Sequence, residues 1–390
     1  MTASNRLPLA SLLALATAAF VTILTEALPA GLLPQMAHSL DVSEAWAGQT
    51  ITAYALGSLL TAIPLTAATQ GLRRRALLLA GLAGFALANT VTTLSNDFTL
   101  TLAARFVAGV AAGLVWALLA GYAARMAPEH LKGRAIAIAM VGTPLALSLG
   151  IPAGTYLGTL VGWRACFAGM SVMALGLMIW VRLRVPDFPG QTQGARTSLA
   201  QVFALAGVQS VLFTVLAFVL AHNLLYTYIA PFLATLDMAG RTDLVLLVFG
   251  VASLASIWIV GMLVDGHLRR LTLASTVLFA TGVLILGSAG HSQALVYAAV
   301  AIWGLAFGGS ATLFQTALAK TAGPAADVAQ SMLVTAWNLA IAGGGLLGGV
   351  LLQRLGAHAF APALLALLAA ALIVVWASKR QGFPLCRQDR

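Results

Sequence analysis

The sequence predicts an all-α integral membrane protein of twelve transmembrane helices, arranged as two six-helix bundles. Of the 390 residues, 60% are hydrophobic and 8% are charged, and the mean hydropathy is +0.95, so the chain would not stay dissolved in water. Apolar runs of about 20 residues give the number of helices. A repeat at half the chain length gives the division into two bundles.

Each apolar run is long enough for one helical crossing of a hydrocarbon layer about 30 Å thick. The runs are continuous and do not alternate, which favours helices over strands. They cover residues 9–33, 48–70, 76–95, 99–124, 135–160, 165–183, 207–233, 243–264, 271–290, 294–319, 328–353 and 359–377. What remains is too short for a soluble domain.

The longest polar stretch, residues 186–198, is rich in Pro, Gly and Gln and is typical of a linker. We therefore expect three parts. They are an N-terminal six-helix bundle at 1–185, a cytoplasmic linker at 186–206, and a C-terminal six-helix bundle with a short cytoplasmic tail at 207–390.

The two halves coincide at a shift of about 195 residues. Arg74 then falls on Arg269, and Gly150 falls on Gly345. Because each half has an even number of helices, both enter the membrane from the same side as parallel repeats. This arrangement suits a cavity between the halves that opens alternately to each side.

The basic residues indicate the orientation. If the N-terminus is cytoplasmic, all but four of the 21 Lys and Arg fall at cytoplasmic ends of the runs. The four exceptions are Arg105, Arg164, Arg241 and Arg354. We expect a multi-pass plasma membrane protein, of a bacterial inner membrane, with both termini cytoplasmic. The net charge of +10 then reflects topology and does not indicate binding to nucleic acid.

Glu26 is the one acidic side chain well inside an apolar run, because Leu7 to Leu33 contains no other charge. A carboxylate in hydrocarbon is costly, so its presence indicates a role in transport or proton movement. Pro29 removes a helical hydrogen bond and frees the carbonyl of Thr25, next to Glu26. Our hypothesis is that Glu26 carries the proton or couples it to substrate. The alternative is a static partner for a buried donor.

Arg105 lies about two turns into the fourth run. With Gly109, Ala112 and Trp116 it forms one helical face that another helix can approach. We interpret Arg105 as a cation that acts on a nearby carboxyl or relays protons. The alternative is a side chain that snorkels to the interface.

His222 and Asn223 fall opposite Glu26 under the repeat, which suggests polar groups on both sides of the cavity. His222 is a candidate second protonation site, or alternatively a histidine that is merely hydrogen-bonded. Tyr226, one turn later, is its expected neighbour. The candidate substrate contacts are Asn223, Tyr226, Trp116 and Asn338. Packing is the alternative for the aromatic residues, and helix–helix hydrogen bonding for Asn338.

Two motifs are candidate gating elements. In the fifth run, Gly150 and Gly154 flank Pro152 and give a small, bent face that suits the interface between the halves. In the second half, the loop between the eighth and ninth runs predicts a latch that pairs with the other half or with helix ends, or alternatively a solvated turn. The loop residues concerned are Gly261, Asp265, Arg269 and Arg270.

These motifs resemble those of the major facilitator superfamily over about residues 10–380. "GMLVDGHLRR" is similar to its loop motif, whereas the first-half copy "TAATQGLRRR" has Gln70 or Thr69 where the acid belongs. "RFVAGVAAG" and "GTPLALSLGIPAGTYLG" resemble its fourth-helix and antiporter motifs, with Ile151 between Gly150 and Pro152. The resemblance implies the major facilitator fold and the drug:proton antiporter branch, near sugar, arabinose and chloramphenicol exporters.

The sequence contains neither paired metal-ligand spacings nor a phosphate-binding loop, so we expect no enzyme activity, metal or cofactor. Together with the resemblance, this predicts a monomeric, proton-coupled secondary transporter in the lipid bilayer. It would export small neutral or amphipathic molecules, such as sugars, nucleosides or drugs, by alternating access. The alternatives are a proton-coupled importer, which the antiporter-like fifth run disfavours, and a transport-inactive membrane receptor.

Overall fold

Helices make up almost all of the structure, a computed structural model that describes residues 7–42, 44–191, 198–238, 241–288 and 292–383. Ten helical stretches within these ranges are long and apolar enough to cross a membrane. Two of them, Leu244–Ser288 with 45 residues and Gln293–Leu355 with 63 residues, each provide enough length for two crossings. The predicted all-α fold with twelve crossings is confirmed.

Within the described residues, the first half contains eight α-helices in six crossings. They are α1 (Leu9–Ser39), α2 (Glu44–Ala68), α3 (Arg74–Leu94), α4 (Phe98–Arg125), α5 (Lys132–Met140), α6 (Gly142–Leu145), α7 (Ile151–Val161) and α8 (Trp163–Arg184). The fifth crossing comprises α5, α6 and α7, with a π-helical turn at Ala146–Gly150. Pro152 has no N–H to donate to the preceding turn, which accounts for the irregular backbone there.

The second half also contains eight helices. They are α9 (Leu199–Ala204), α10 (Val208–Thr227), α11 (Ile229–Ala234), α12 (Thr242–Ser288), α13 (Gln293–Phe307), α14 (Ser310–Ala322), α15 (Ala326–Leu355) and α16 (Phe360–Ala377). Helix α12 covers two predicted crossings and is broken at His267, whose φ of −130° is not helical. The candidate latch of the second half therefore lies at a kink.

The described chain forms two compact units. The first contains Met1–Val202 and Pro324–Thr335, and the second contains Phe203–Gly323 and Ala336–Arg390. The first boundary falls close to the predicted linker. Residues 324–335, however, come from the second half of the sequence and belong to the first unit, so α15 is shared between the two units.

The glycines of the fifth crossing pack within the first unit. A Cβ atom added to Gly150 would lie 2.8 Å from the Phe20 ring, and one added to Gly154 would lie 2.7 Å from Leu28. Both neighbours belong to α1. These two glycines thus pack against α1 of the same bundle, and their expected part in gating stays a prediction.

Candidate transport sites

Arg105 is the centre of a polar site inside the first unit. Its side chain is 0% exposed. Its Nε donates to the carbonyl of Thr50 at 3.3 Å, and its Nη2 donates to the carbonyl of Glu26 at 3.3 Å. The rings of Tyr54 and Phe167 flank the guanidinium, with centroids at 5.0 and 5.8 Å. This burial within the protein excludes the snorkelling alternative.

Arg105 and Glu26 meet through a backbone carbonyl, and the carboxylate of Glu26 is left out of the contact. In the part of the chain that the structure describes, no ion pair within 4.0 Å joins the two side chains. Glu26 is half-buried. The two residues are therefore neighbours through the Glu26 backbone carbonyl and do not form a direct ion pair.

Polar groups from α1, α2 and α3 complete this site around Arg105 of α4. The Tyr54 hydroxyl donates to the carbonyl of Thr22 at 3.1 Å, and Asn89 Nδ2 donates to Thr25 Oγ1 at 3.2 Å. Among the described residues, buried Arg105 Nη1 and Asn89 Oδ1 have no hydrogen-bond partner. The site thus holds an unused donor and an unused acceptor, which is unusual for buried polar atoms.

The sequence interpretation missed Thr22, Thr25, Tyr54 and Asn89. One signal was available, because Thr22, Thr25 and Glu26 follow helical spacing and so share one face of α1. Nothing in the spacing, however, identifies α2 and α3 as the helices that meet that face.

His222 lies in the second unit within an aromatic cluster formed by His222, Tyr226, Phe249, Trp303 and Phe307. Its ring stacks on Phe307, with centroids 3.4 Å apart and planes 8° apart. The other three rings lie 5.4 to 5.6 Å away. The expected contact with Tyr226 is confirmed.

The aromatic cluster also contains unused polar atoms. Within the described residues, His222 Nδ1 and Trp303 Nε1 are buried and have no hydrogen-bond partner. Tyr226 is 43% exposed, so one side of the cluster is open to the surroundings. Flat apolar ring faces with a few polar atoms are typical of small-molecule sites.

The other predicted substrate contacts lie outside this cluster. Asn223 donates its Nδ2 to the carbonyl of Val219 in its own helix at 2.9 Å. Trp116 is half-buried on α4 of the first unit. Asn338 is half-buried on α15, next to Trp337, whose ring centroid is 6.2 Å from that of Phe307.

In the candidate latch of the second half, Arg269 pairs with the end of a helix, which is one of the predicted possibilities. Its guanidinium donates to the carbonyls of Val375 at 2.5 Å and Trp376 at 2.8 Å, at the C-terminal end of α16. The Asp265 carbonyl accepts a hydrogen bond from Lys320 Nζ at 3.2 Å. Gly261 lies half-buried in α12, and Arg270 is exposed just after its kink.

A buried ion-pair cluster in the first unit was not predicted. We call Arg74, Arg125 and Asp327 the Asp327 cluster. Asp327 Oδ2 lies 3.0 Å from Arg74 Nε and 3.0 Å from Arg125 Nη2. Asp327 is 0% exposed and Arg74 is 1% exposed. A Cβ at Gly121 would overlap Asp327 Oδ1, so a glycine is needed for this approach.

Comparisons with known proteins agree with this architecture. The family model described as Major Facilitator Superfamily matches residues 15–329. A "Probable sugar efflux transporter" of Pasteurella multocida (strain Pm70) is 28% identical over 356 residues, 91% of this chain and 88% of the relative. "Transcription regulatory protein OpdE" of Pseudomonas aeruginosa is 30% identical over 379 residues, 94% of each chain.

Two solved transporter structures have the same fold. The proton:xylose symporter XylE bound to 6-bromo-6-deoxy-D-glucose has a TM-score of 0.75 at 15% identity and covers 97% of both chains. The transporter FucP in the outward conformation has a TM-score of 0.76 at 16% identity, over 95% of this chain and 99% of its own. At these identities the likeness concerns the fold alone.

Proposed function

This chain belongs to the major facilitator superfamily, and on that premise we propose that it is a proton-coupled exporter of small neutral or amphipathic molecules, with sugars as the first substrate class to test. Family membership makes it a multi-pass membrane transporter and not an enzyme. Proton coupling, direction and substrate are what we propose beyond that.

The observation that carries the proposal is a buried arginine beside a carboxylate that it does not neutralise. Arg105 is held by two backbone carbonyls and two aromatic rings, so it stays in place whatever the state of Glu26. When ionised, Glu26 is attracted to this fixed cation, and when protonated it is not. A small shift of α1 against α4 is then coupled to gain or loss of a proton.

For the substrate we assign the aromatic cluster of the second unit. Aromatic faces pack well against the apolar face of a sugar or nucleoside ring, and the unused nitrogens of His222 and Trp303 suit its hydroxyl groups. The printed name of the Pasteurella relative supports sugars and export. In this assignment Tyr226 provides the exposed ring and His222 a stacking surface.

For gating we assign the Asp327 cluster. Residues 324–335 belong to the first unit through this cluster, and opening at this end requires two ion pairs to break. The predicted topology places this end, and both termini, in the cytoplasm. Gly150, Pro152 and Gly154 supply the bend of the fifth crossing, against α1, which carries Glu26.

Reconstitution of Glu26→Gln tests the proposal. In proteoliposomes, we expect the variant to exchange labelled substrate across the membrane in counterflow, which needs no net proton movement. It should fail to concentrate that substrate under an imposed pH gradient. The panel consists of sugars, nucleosides and chloramphenicol, and exposed Glu129→Gln is the control. Accumulation at the normal rate by Glu26→Gln would contradict the coupling role.

A transport-inactive receptor is the second candidate. One relative of similar length carries the printed name of a transcription regulatory protein, and that name is the observation that favours this candidate. A receptor would bind a molecule of the panel without counterflow. An importer would instead accumulate substrate when the compartment outside the vesicle is acidic, and the antiporter-like segment around Gly150 and Pro152 argues against it.

A further inference from the structure

Residues 185–191, which follow α8, lie along the connection between α2 and α3. We call them the strap. Phe188 accepts a backbone hydrogen bond from Arg74 N at 2.9 Å, and Gln191 N donates to the Gln70 carbonyl at 2.8 Å. A stretch whose composition is typical of a free linker is therefore paired with another loop of the first unit.

The carboxylate of Asp187 fixes the strap to the start of α3. It accepts from Arg73 Nε at 2.6 Å and from the backbone N–H of Arg75 at 3.2 Å. The second bond satisfies a donor of the first turn of α3, as an N-cap does, but from a distant segment. In addition, Arg75 Nη1 donates a hydrogen bond to the Val185 carbonyl at 3.3 Å.

The middle of the strap packs on α4 and on the loop between α2 and α3. The buried Tyr122 hydroxyl donates to the Pro186 carbonyl at 2.6 Å, and its ring meets that of Phe188 edge to face at 5.4 Å. Gly190 lies so close to Gly71 that a Cβ at 190 would overlap its backbone. Position 190 therefore requires a glycine for the strap to lie flat.

The strap reaches both sides of the Asp327 cluster. At one side it bonds the backbone of Arg74, whose side chain pairs with Asp327. At the other, Gln191 Nε2 donates to the carbonyl of Pro324 at 2.7 Å, three residues before Asp327. The strap thus holds both the arginine and the segment that carries its acid.

We propose that the strap is a positioning element for the gate: it holds Arg74 in register with Asp327 and fastens Pro324, so that residues 324–335 are released from the first unit only when the strap loosens. The gating consequence rests on the proposed function. The mechanical claim, that the strap determines how tightly 324–335 is held, does not depend on any substrate.

Hydrogen–deuterium exchange of the full chain in lipid nanodiscs tests this. In Gly190→Ala, we expect peptides covering 185–191 and 324–335 both to exchange about tenfold faster, the change expected for the loss of one or two hydrogen bonds. The matched control is Gly176→Ala in α8, since no described residue lies within 4 Å of a Cβ at that position. It should exchange like the natural protein.

The outcomes separate the proposal from its alternatives. Faster exchange in 185–191 with unchanged 324–335 would mean that the strap is only a docked tether and would overturn the proposal, as would no change in either. If Gly190→Ala does not fold, Asp187→Asn removes the charge without adding bulk and should speed both peptides about threefold. Absence of counterflow in the natural protein would refute transport while leaving the exchange comparison intact.

Discussion

Arg74 and Arg269 occupy the same place in the two sequence repeats but have different partners. Both are buried, at 1% and 8% exposure. Arg269 donates to the carbonyls of Val375 and Trp376, where the end of a helix carries partial negative charge. Arg74 pairs with the carboxylate of Asp327, on a segment from the other half of the sequence.

The Arg269 contact joins two helices of one bundle, whereas the Arg74 contact joins segments from the two halves of the sequence and can break when one of them moves. Arg269 instead satisfies carbonyls of the last turn of α16 that have no partner within that helix, so it fastens two elements of its own unit to each other. The ion pair of Arg74 depends on one side chain near the start of α15, and it breaks if that segment moves. In the first repeat the loop has Gln70 where the second has Asp265, and Asp327 supplies the missing negative charge.

The largest effect is expected from Asp327→Asn, which leaves two arginines without their buried anion. Loss of one partner of a buried ion pair costs about 3–5 kcal/mol, so 324–335 should be released roughly a hundredfold to a few thousandfold more often. The measurement is the maleimide labelling rate of Ser331→Cys, a buried position, with Cys166 and Cys386 replaced by serine. Exposed Asp41→Asn is the control, and equal labelling rates in all three proteins would remove the gate assignment.

Arg269→Gln should have a smaller and different effect. It weakens charged hydrogen bonds to α16 at a cost of about 1.5–3 kcal/mol, which should lower the thermal unfolding midpoint while leaving the labelling of Ser331→Cys unchanged. Exposed Arg380→Gln should change neither property. If Arg269→Gln instead speeds the labelling, the two arginines act alike and the comparison fails.

The smallest effect concerns pH at the strap. Burial raises the pKa of the Asp187 carboxyl, but its bonds to Arg73 and Arg75 and their charges outweigh this and hold the pKa below its ordinary value. A depressed pKa means that the stabilisation is complete above the ordinary carboxyl range and is lost only as pH falls through the depressed value. Exchange in 185–191, corrected for intrinsic rates, should therefore be flat from about pH 7 to 5. A transition within that window, absent from Asp187→Asn, would contradict this.

The sequence was most informative where a charge lies inside an apolar run. Glu26 and Arg105 were identified in this way, and the structure brings them together. Their contact through the Glu26 carbonyl was not predictable, because it depends on the register between α1 and α4. Asp327 was missed because an acid just before an apolar run resembles an ordinary loop residue. Its burial comes from tertiary contacts, which include those with Arg74, Arg125 and Gly121.

Likewise, sequence periodicity predicts which residues share a helix face, but it does not predict which helix packs against that face. The glycines at 150 and 154 form the small face that was expected, yet α1 covers it within the same unit. The repeat singled out His222, whereas its surroundings come from two other helices, α12 with Phe249 and α13 with Trp303 and Phe307. No local pattern connects those helices.

Helix α15 is continuous although its first residues belong to one unit and the rest to the other. If the Asp327 cluster is the gate that we propose, this continuity makes α15 a lever. Asp327 lies nine residues before Ala336, about 14 Å along the axis, so a tilt of about 10° at that point displaces the carboxylate by roughly 2.4 Å. That distance is comparable to the 3.0 Å that separates it from Arg74. A rotation too small to repack the bundle is thus sufficient to take the charge out of reach.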